Sequence, residues 1–133
     1  MIGMGNMRID FDKMQGLVPA IVQDFENGDI LMLGFMNGEA WEKTMNSGYV
    51  TFYSRTRDQL WTKGETSGNR LKVISAATDC DFDSLLLRVA VEGEGVVCHE
   101  GTRSCFTKII PGCTPVQRGP DRTATRSAEE TAR

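Results

Sequence analysis

Apolar and polar residues alternate in short bursts along most of this chain, and one stretch alone repeats at helical spacing. Residues 17–25 are β-prone, and Ile30-Leu31-Met32-Leu33 answers them across Glu26-Asn27-Gly28-Asp29. Asn-Gly between two apolar runs is the favoured type I′ hairpin turn, so a β-hairpin is predicted here. Trp41 and Met45 lie one helical turn apart, with Asn37 placed as an N-cap and Gly48 as a terminator, which predicts a short helix over residues 37–46. Residues 49–54 are rich in β-branched and aromatic side chains, residues 55–58 turn, and residues 59–63 return as the next strand. A polar loop, residues 64–69, precedes predicted strands at 70–77 and 84–91, and a turn at Glu92-Gly93-Glu94-Gly95 leads to a short strand at 96–99. Met7-Arg8-Ile9-Asp10-Phe11 alternates as well and reads either as a first strand or as an unordered lead-in. Beyond Ile110 large apolar residues are almost absent, so residues 111–133 are expected to form a disordered tail. The pattern predicts an α+β domain over residues 1–110, predominantly antiparallel β strands with one short helix.

Composition narrows the class. A chain of 133 residues with 40% apolar content supports one domain with a modest core. A net charge of −3 argues against nucleic acid as the main partner, since surfaces that track phosphate backbones are usually basic. No apolar run reaches the length of a membrane span and no signal-peptide core precedes the domain, so a soluble, cytoplasmic protein with no membrane partner is expected. In a reducing compartment the four cysteines read as ligands or free thiols rather than disulfides.

The chemistry concentrates in two places. Asp79-Cys80-Asp81-Phe82-Asp83 sets three carboxylates around a thiol and an aromatic ring. In an extended strand the carboxylates would share one face, with Cys80 and Phe82 on the other. Like charges roughly 7 Å from one Asp to the next along the strand call for a cation, and a hard divalent ion such as Mg2+ is the simplest one; the bland alternative is a solvated acidic turn. An EF-hand loop is excluded, because its sixth and twelfth positions hold Ser84 and Ala90. Cys80, Cys98 and Cys105 show no C-x-x-C pair, which argues against a closed structural zinc site. Three thiolates with an open position remain possible, as does simple packing of buried cysteines. His99 adjoins Cys98 and is the single histidine, the side chain whose ordinary pKa lies near neutrality. The loop around Gly64, Glu65, Thr66, Ser67 and Gly68, flanked by Lys63 and Asn69, offers backbone N–H groups and hydroxyls to a phosphate, with Arg55, Arg57 and Arg103 as further cationic candidates.

The segments Trp61-Thr62-Lys63-Gly64-Glu65-Thr66-Ser67-Gly68, Asp79-Cys80-Asp81-Phe82-Asp83-Ser84-Leu85-Leu86 and Cys98-His99-Glu100-Gly101-Thr102-Arg103-Ser104-Cys105-Phe106 together resemble the phosphoribosyl-AMP cyclohydrolase family of histidine biosynthesis. The resemblance runs over residues 17–106. It implies a zinc-dependent hydrolase that opens the adenine ring of 1-(5-phosphoribosyl)-AMP at the N1–C6 bond. It also implies an intertwined homodimer with shared active sites, in which Cys80 of one chain binds zinc with Cys98 and Cys105 of the other, while Asp79, Asp81 and Asp83 hold Mg2+. His99 is then the expected general base. Arg55, Arg57, Lys63, Glu65, Thr66, Ser67, Asn69 and Arg103 become the expected substrate contacts. Three features depart from the family pattern: Asn69 stands where a histidine is common, Glu100 replaces a small hydroxyl residue, and the Cys80 to Cys98 connection is two residues longer. Asn69 and Glu100 favour the alternative of a catalytically degenerate, zinc-stabilised dimeric nucleotide-binding module.

Overall fold

In the computed structural model, which describes residues 8–114, every second residue of strand β1 (Val18–Asp24) is buried. Val18, Ala20, Val22 and Asp24 face inward, which is the half-buried alternation that a period of two produces. The elements continue as β2 (Ile30–Met36), α1 (Gly38–Ser47), β3 (Thr51–Ser54), β4 (Gln59–Thr62), β5 (Leu71–Thr78) and β6 (Leu85–Val91). A four-stranded sheet runs in the order β2-β1-β6-β5, and β3 with β4 forms a separate antiparallel hairpin. The predicted α+β class and single helix hold for the described residues. One pairing differs from the antiparallel expectation: β1 and β6 are parallel, with Ala20 opposite Leu85 and Val22 opposite Leu87.

The hairpin between β1 and β2 forms without the predicted type I′ turn. Five residues connect the strands, and among residues 25–29 positive φ is confined to Gly28. A type I′ turn needs positive φ at both central residues. The Asp24 carboxylate, which accepts from the backbone N–H groups of Glu26 and Asn27, organises a longer loop instead.

Helix α1 obeys its caps. Asn37 accepts from the Ala40 N–H at 2.9 Å, and Gly48 adopts a left-handed φ of 84°. Ala40, Trp41, Thr44 and Met45 are buried on its inner side. Buried Thr44 donates to the Ala40 carbonyl and accepts from the Thr51 N–H at 2.9 Å, tying the helix to β3. Phe52 of β3 is fully buried and tilts against Trp61 across the hairpin. Its ring lies directly on the Gly34 backbone, where a Cβ would collide with it. Replacing Phe52 with Ala would cost about 3–5 kcal/mol through lost burial and the cavity left behind.

Of the two alternatives left for the first residues the strand is excluded, and the strand expected at 96–99 is absent. Residues 8–11 form no strand, although Ile9 and Phe11 pack against the core. Residues 96–99 form no strand either, because Val97 and Cys98 turn their N–H groups to one acceptor, the Thr102 carbonyl, instead of a neighbouring strand. Most of the predicted tail, residues 115–133, lies outside the described residues. Among the described residues no helix is long and apolar enough to cross a membrane.

Candidate metal and substrate site

The acidic segment between β5 and β6 is a tight turn, which overturns the expectation of an extended, two-faced strand. Asp79 causes the reversal. One carboxylate oxygen accepts from the N–H groups of Asp83 (3.0 Å) and Ser84 (3.1 Å), and the other accepts from the Ser84 hydroxyl at 2.7 Å. Short acidic side chains compete with the sheet ladder in this way. Phe82 takes a left-handed φ of 64° at the bend, and its N–H donates to the Asp79 carbonyl. The turn still delivers the convergence predicted for the carboxylates: one oxygen each of Asp79, Asp81 and Asp83 lies within 4.8 Å of the others. Such an all-oxygen donor set suits a hard divalent cation. The Ser84 hydroxyl and the turn N–H groups hold the Asp79 carboxyl well below the usual carboxylate range. Asp83 shifts the other way, raised first by its hydrogen bond with Asp81 and then by burial and the neighbouring negative charge. Cys80 is exposed on the same turn.

The second cluster is built from long-range contacts. After the 92–95 turn the chain wraps so that Val97 and Cys98 both donate to the Thr102 carbonyl (3.2 and 3.0 Å). Buried Cys98 and exposed Cys105 are thereby carried on one loop. Three ties staple this loop to the sheet. Ser104 donates its hydroxyl to the Ile30 carbonyl at 2.9 Å, the Cys105 N–H donates to the Leu31 carbonyl at 2.8 Å, and Arg103 pairs with the buried Asp24 carboxylate. The sequence reading missed Asp24. Its signal was a carboxylate on the inward parity of β1, after Val18, Ala20 and Val22, and a buried charge requires a partner.

The Glu100 N–H, 3.4 Å from the Cys98 sulfur, lowers that thiol's pKa, helped by the Thr102 hydroxyl. Burial raises the pKa of Cys105, and the charge of Cys98 adds to the effect. The two thiols thus shift in opposite directions, Cys98 toward easier ionisation, and sulfur donors of this kind suit zinc. Cys80 does not join them in a three-ligand cluster, since the carboxylate trio is the group of that kind found among the described residues. His99 is exposed beside Cys98. The Glu100 carboxylate pairs with Lys108 at 2.9 Å, and this partner, ahead of His99, holds its pKa down.

Glu65, Thr66 and Ser67 line a cleft of about 530 Å³, faced by Lys43 and Arg70. Gly64 is required there: its φ is 78°, and a Cβ would strike the Asn69 backbone. Lys63 reaches over Trp61 at 5.8 Å, and its charge is felt at Cys105, which links this loop to the thiols. Asn69 turns to a structural partner, its side-chain carbonyl accepting from the Glu94 N–H at 2.8 Å. Two departures noted in the sequence, Asn69 and the lengthened connection around residues 92–95, are thus bonded to each other. Arg55 stacks over Phe35 at 4.4 Å, and Arg57 is exposed on the β3–β4 turn. Arg103, engaged by Asp24, is the candidate phosphate contact most committed to structure.

A family model described as phosphoribosyl-AMP cyclohydrolase matches residues 32–107. The chain is 54% identical over 106 residues to the phosphoribosyl-AMP cyclohydrolase of Desulfatibacillum aliphaticivorans, covering 80% of this chain and 84% of that protein. It is 53% identical over 104 residues to the phosphoribosyl-AMP cyclohydrolase of Solibacter usitatus, covering 78% and 82%. It is also 57% identical over 98 residues to the histidine biosynthesis bifunctional protein HisIE of Escherichia coli, covering 74% of this chain and 47% of that longer protein. The matched span contains the thiol loop, the acidic turn and the 64–69 loop, and the chain belongs to the phosphoribosyl-AMP cyclohydrolase family.

Proposed function

We propose that this chain is a zinc-dependent hydrolase of histidine biosynthesis that opens the adenine ring of 1-(5-phosphoribosyl)-AMP at the N1–C6 bond. The loop that holds buried Cys98, exposed His99 and Cys105, stapled to β2 through Ser104 and the Cys105 N–H, carries the reading. Cys98 and Cys105 would hold zinc together with Cys80 of the partner subunit in a homodimer. Two observations support a second chain: Cys80 is exposed at the end of β5, and residues 74–77 of that outer strand are exposed. Asp79, Asp81 and Asp83 would hold Mg2+.

Ribosylation at N1 draws electrons from the ring and makes C6 electrophilic. Zinc, when bound, lowers the pKa of a water for attack at C6. Because thiolate ligands donate strongly, that acidification is weaker than on a three-histidine site, and a base is needed. His99 takes the proton. Lys63 and the hydroxyls of Thr66 and Ser67 hold the substrate near the thiols, with Arg55 and Arg57 available to phosphate at the edge. Ultraviolet absorbance of zinc- and magnesium-replete protein with phosphoribosyl-AMP should report ring opening, and no change with fully metallated protein would overturn the assignment.

The second reading is a zinc-stabilised dimeric nucleotide-binding module without turnover. The structural engagement of Asn69 and Arg103 favours it, since two expected substrate contacts have other partners. Tight binding of phosphoribosyl-AMP with no ring opening would support that alternative.

A further inference from the structure

The acidic turn already has a cation of its own. The Lys13 ammonium lies 3.5 Å from an Asp81 carboxylate oxygen and 3.6 Å from one of Asp83, and it donates to the Asp81 backbone carbonyl at 2.9 Å. Residues 8–16 deliver it as a strap laid over the turn. The Asp10 N–H donates to the Phe82 carbonyl at 2.6 Å, and the Gly16 N–H closes back on the Phe11 carbonyl at 2.7 Å. Ile9 and Phe11 anchor the strap on the core.

We propose that Lys13 is a tethered counter-ion that a divalent cation must displace from Asp81 and Asp83 to bind among Asp79, Asp81 and Asp83, so that residue 13 sets the affinity of that site. The proposal rests on the reading of those carboxylates as the Mg2+ site. An ammonium within 4 Å of two of the three carboxylates cancels part of their mutual repulsion before any metal arrives. Metal binding then becomes an exchange of cations, and its affinity falls by the strength of the contacts given up. Those contacts are weak enough to exchange: the side chains of Lys13 and Asp81 are 41% and 57% exposed, and exposed ion pairs contribute little. Once displaced, the ammonium is free to swing into solvent on its four-carbon stem, while the backbone bonds of the strap remain.

Isothermal titration of the zinc-loaded full chain with MgCl2 tests this directly. Lys13→Met should bind Mg2+ about 5- to 20-fold more tightly than the wild type, while Lys13→Arg should stay near the wild-type value. Thermal unfolding supplies a readout independent of activity. Without Mg2+ the Lys13→Met protein should melt below the wild type, and added Mg2+ should raise its Tm by the larger amount. Equal or weaker Mg2+ binding by Lys13→Met would overturn the proposal and leave the carboxylate site intact. No Mg2+ binding by either protein would sink the site itself, and the role of Lys13 with it.

Discussion

The acidic turn and the thiol loop are both donor clusters, yet they are assembled by opposite means. Asp79 binds groups four and five residues away, so the turn is largely closed by its own neighbours and is solvent-exposed. The thiol loop is held by Asp24, Ile30 and Leu31, some 70 to 80 residues earlier, and half of its thiol pair is buried. Hard carboxylate donors tolerate water and need little support, whereas a buried thiol is placed by the frame packed around it. The difference teaches that the two sites should fail differently when perturbed.

Cys98→Ser is the most severe test, because it removes the buried sulfur donor. Ring opening should fall by about 10³-fold or more and zinc content should drop, while Asp81→Asn should leave zinc content unchanged. Loss of zinc from both variants would erase the distinction between the sites. Next, His99→Ala should lower kcat by about 10²- to 10⁴-fold with zinc retained, as expected for loss of a general base. Unchanged turnover in that variant would remove His99 from the mechanism.

Asp24→Asn probes the long-range staple. Stripping the charge opposite Arg103 should reduce stability by about 2–4 kcal/mol in urea unfolding and loosen zinc, because it leaves a guanidinium facing a neutral partner in a mostly buried setting. If only the Asp79–Ser84 turn mattered, this change would be silent. Asp79→Asn should have the smallest effect, a modest drop in Tm. Its folded pKa is depressed, so its contribution is full above the unfolded value and is lost as pH falls through the folded one. The variant should therefore flatten the acid limb of the Tm-versus-pH curve below the usual carboxylate range.

Helix caps and strand periodicity in the sequence match the structure of α1 and of the β3–β4 hairpin. Asn37 and Gly48 bounded the helix, and Tyr49 to Lys63 folded as the expected hairpin. The same logic misread residues 79–83. Alternating Asp residues fit a strand face, but a carboxylate that captures the N–H groups of Asp83 and Ser84 competes with the ladder and wins. Asn27-Gly28 was misjudged for a similar reason, since Asp24 supplied side-chain hydrogen bonds that a two-residue turn does not use.

By itself, then, the sequence determined the strand parity, the helix with its caps and the family, because these follow from side-chain periodicity and from motifs read in order along the chain. It placed three carboxylates in five residues, but their convergence needed the turn that Asp79 closes, since an extended strand would hold Asp79 and Asp83 about 13 Å apart. Only the tertiary structure decided that β1 and β6 run parallel, that Asp24 pairs with Arg103 of the thiol loop, and that Lys13 shares the acidic turn. Those pairings join groups tens of residues apart, and no local pattern encodes a partner that only chain folding brings within reach.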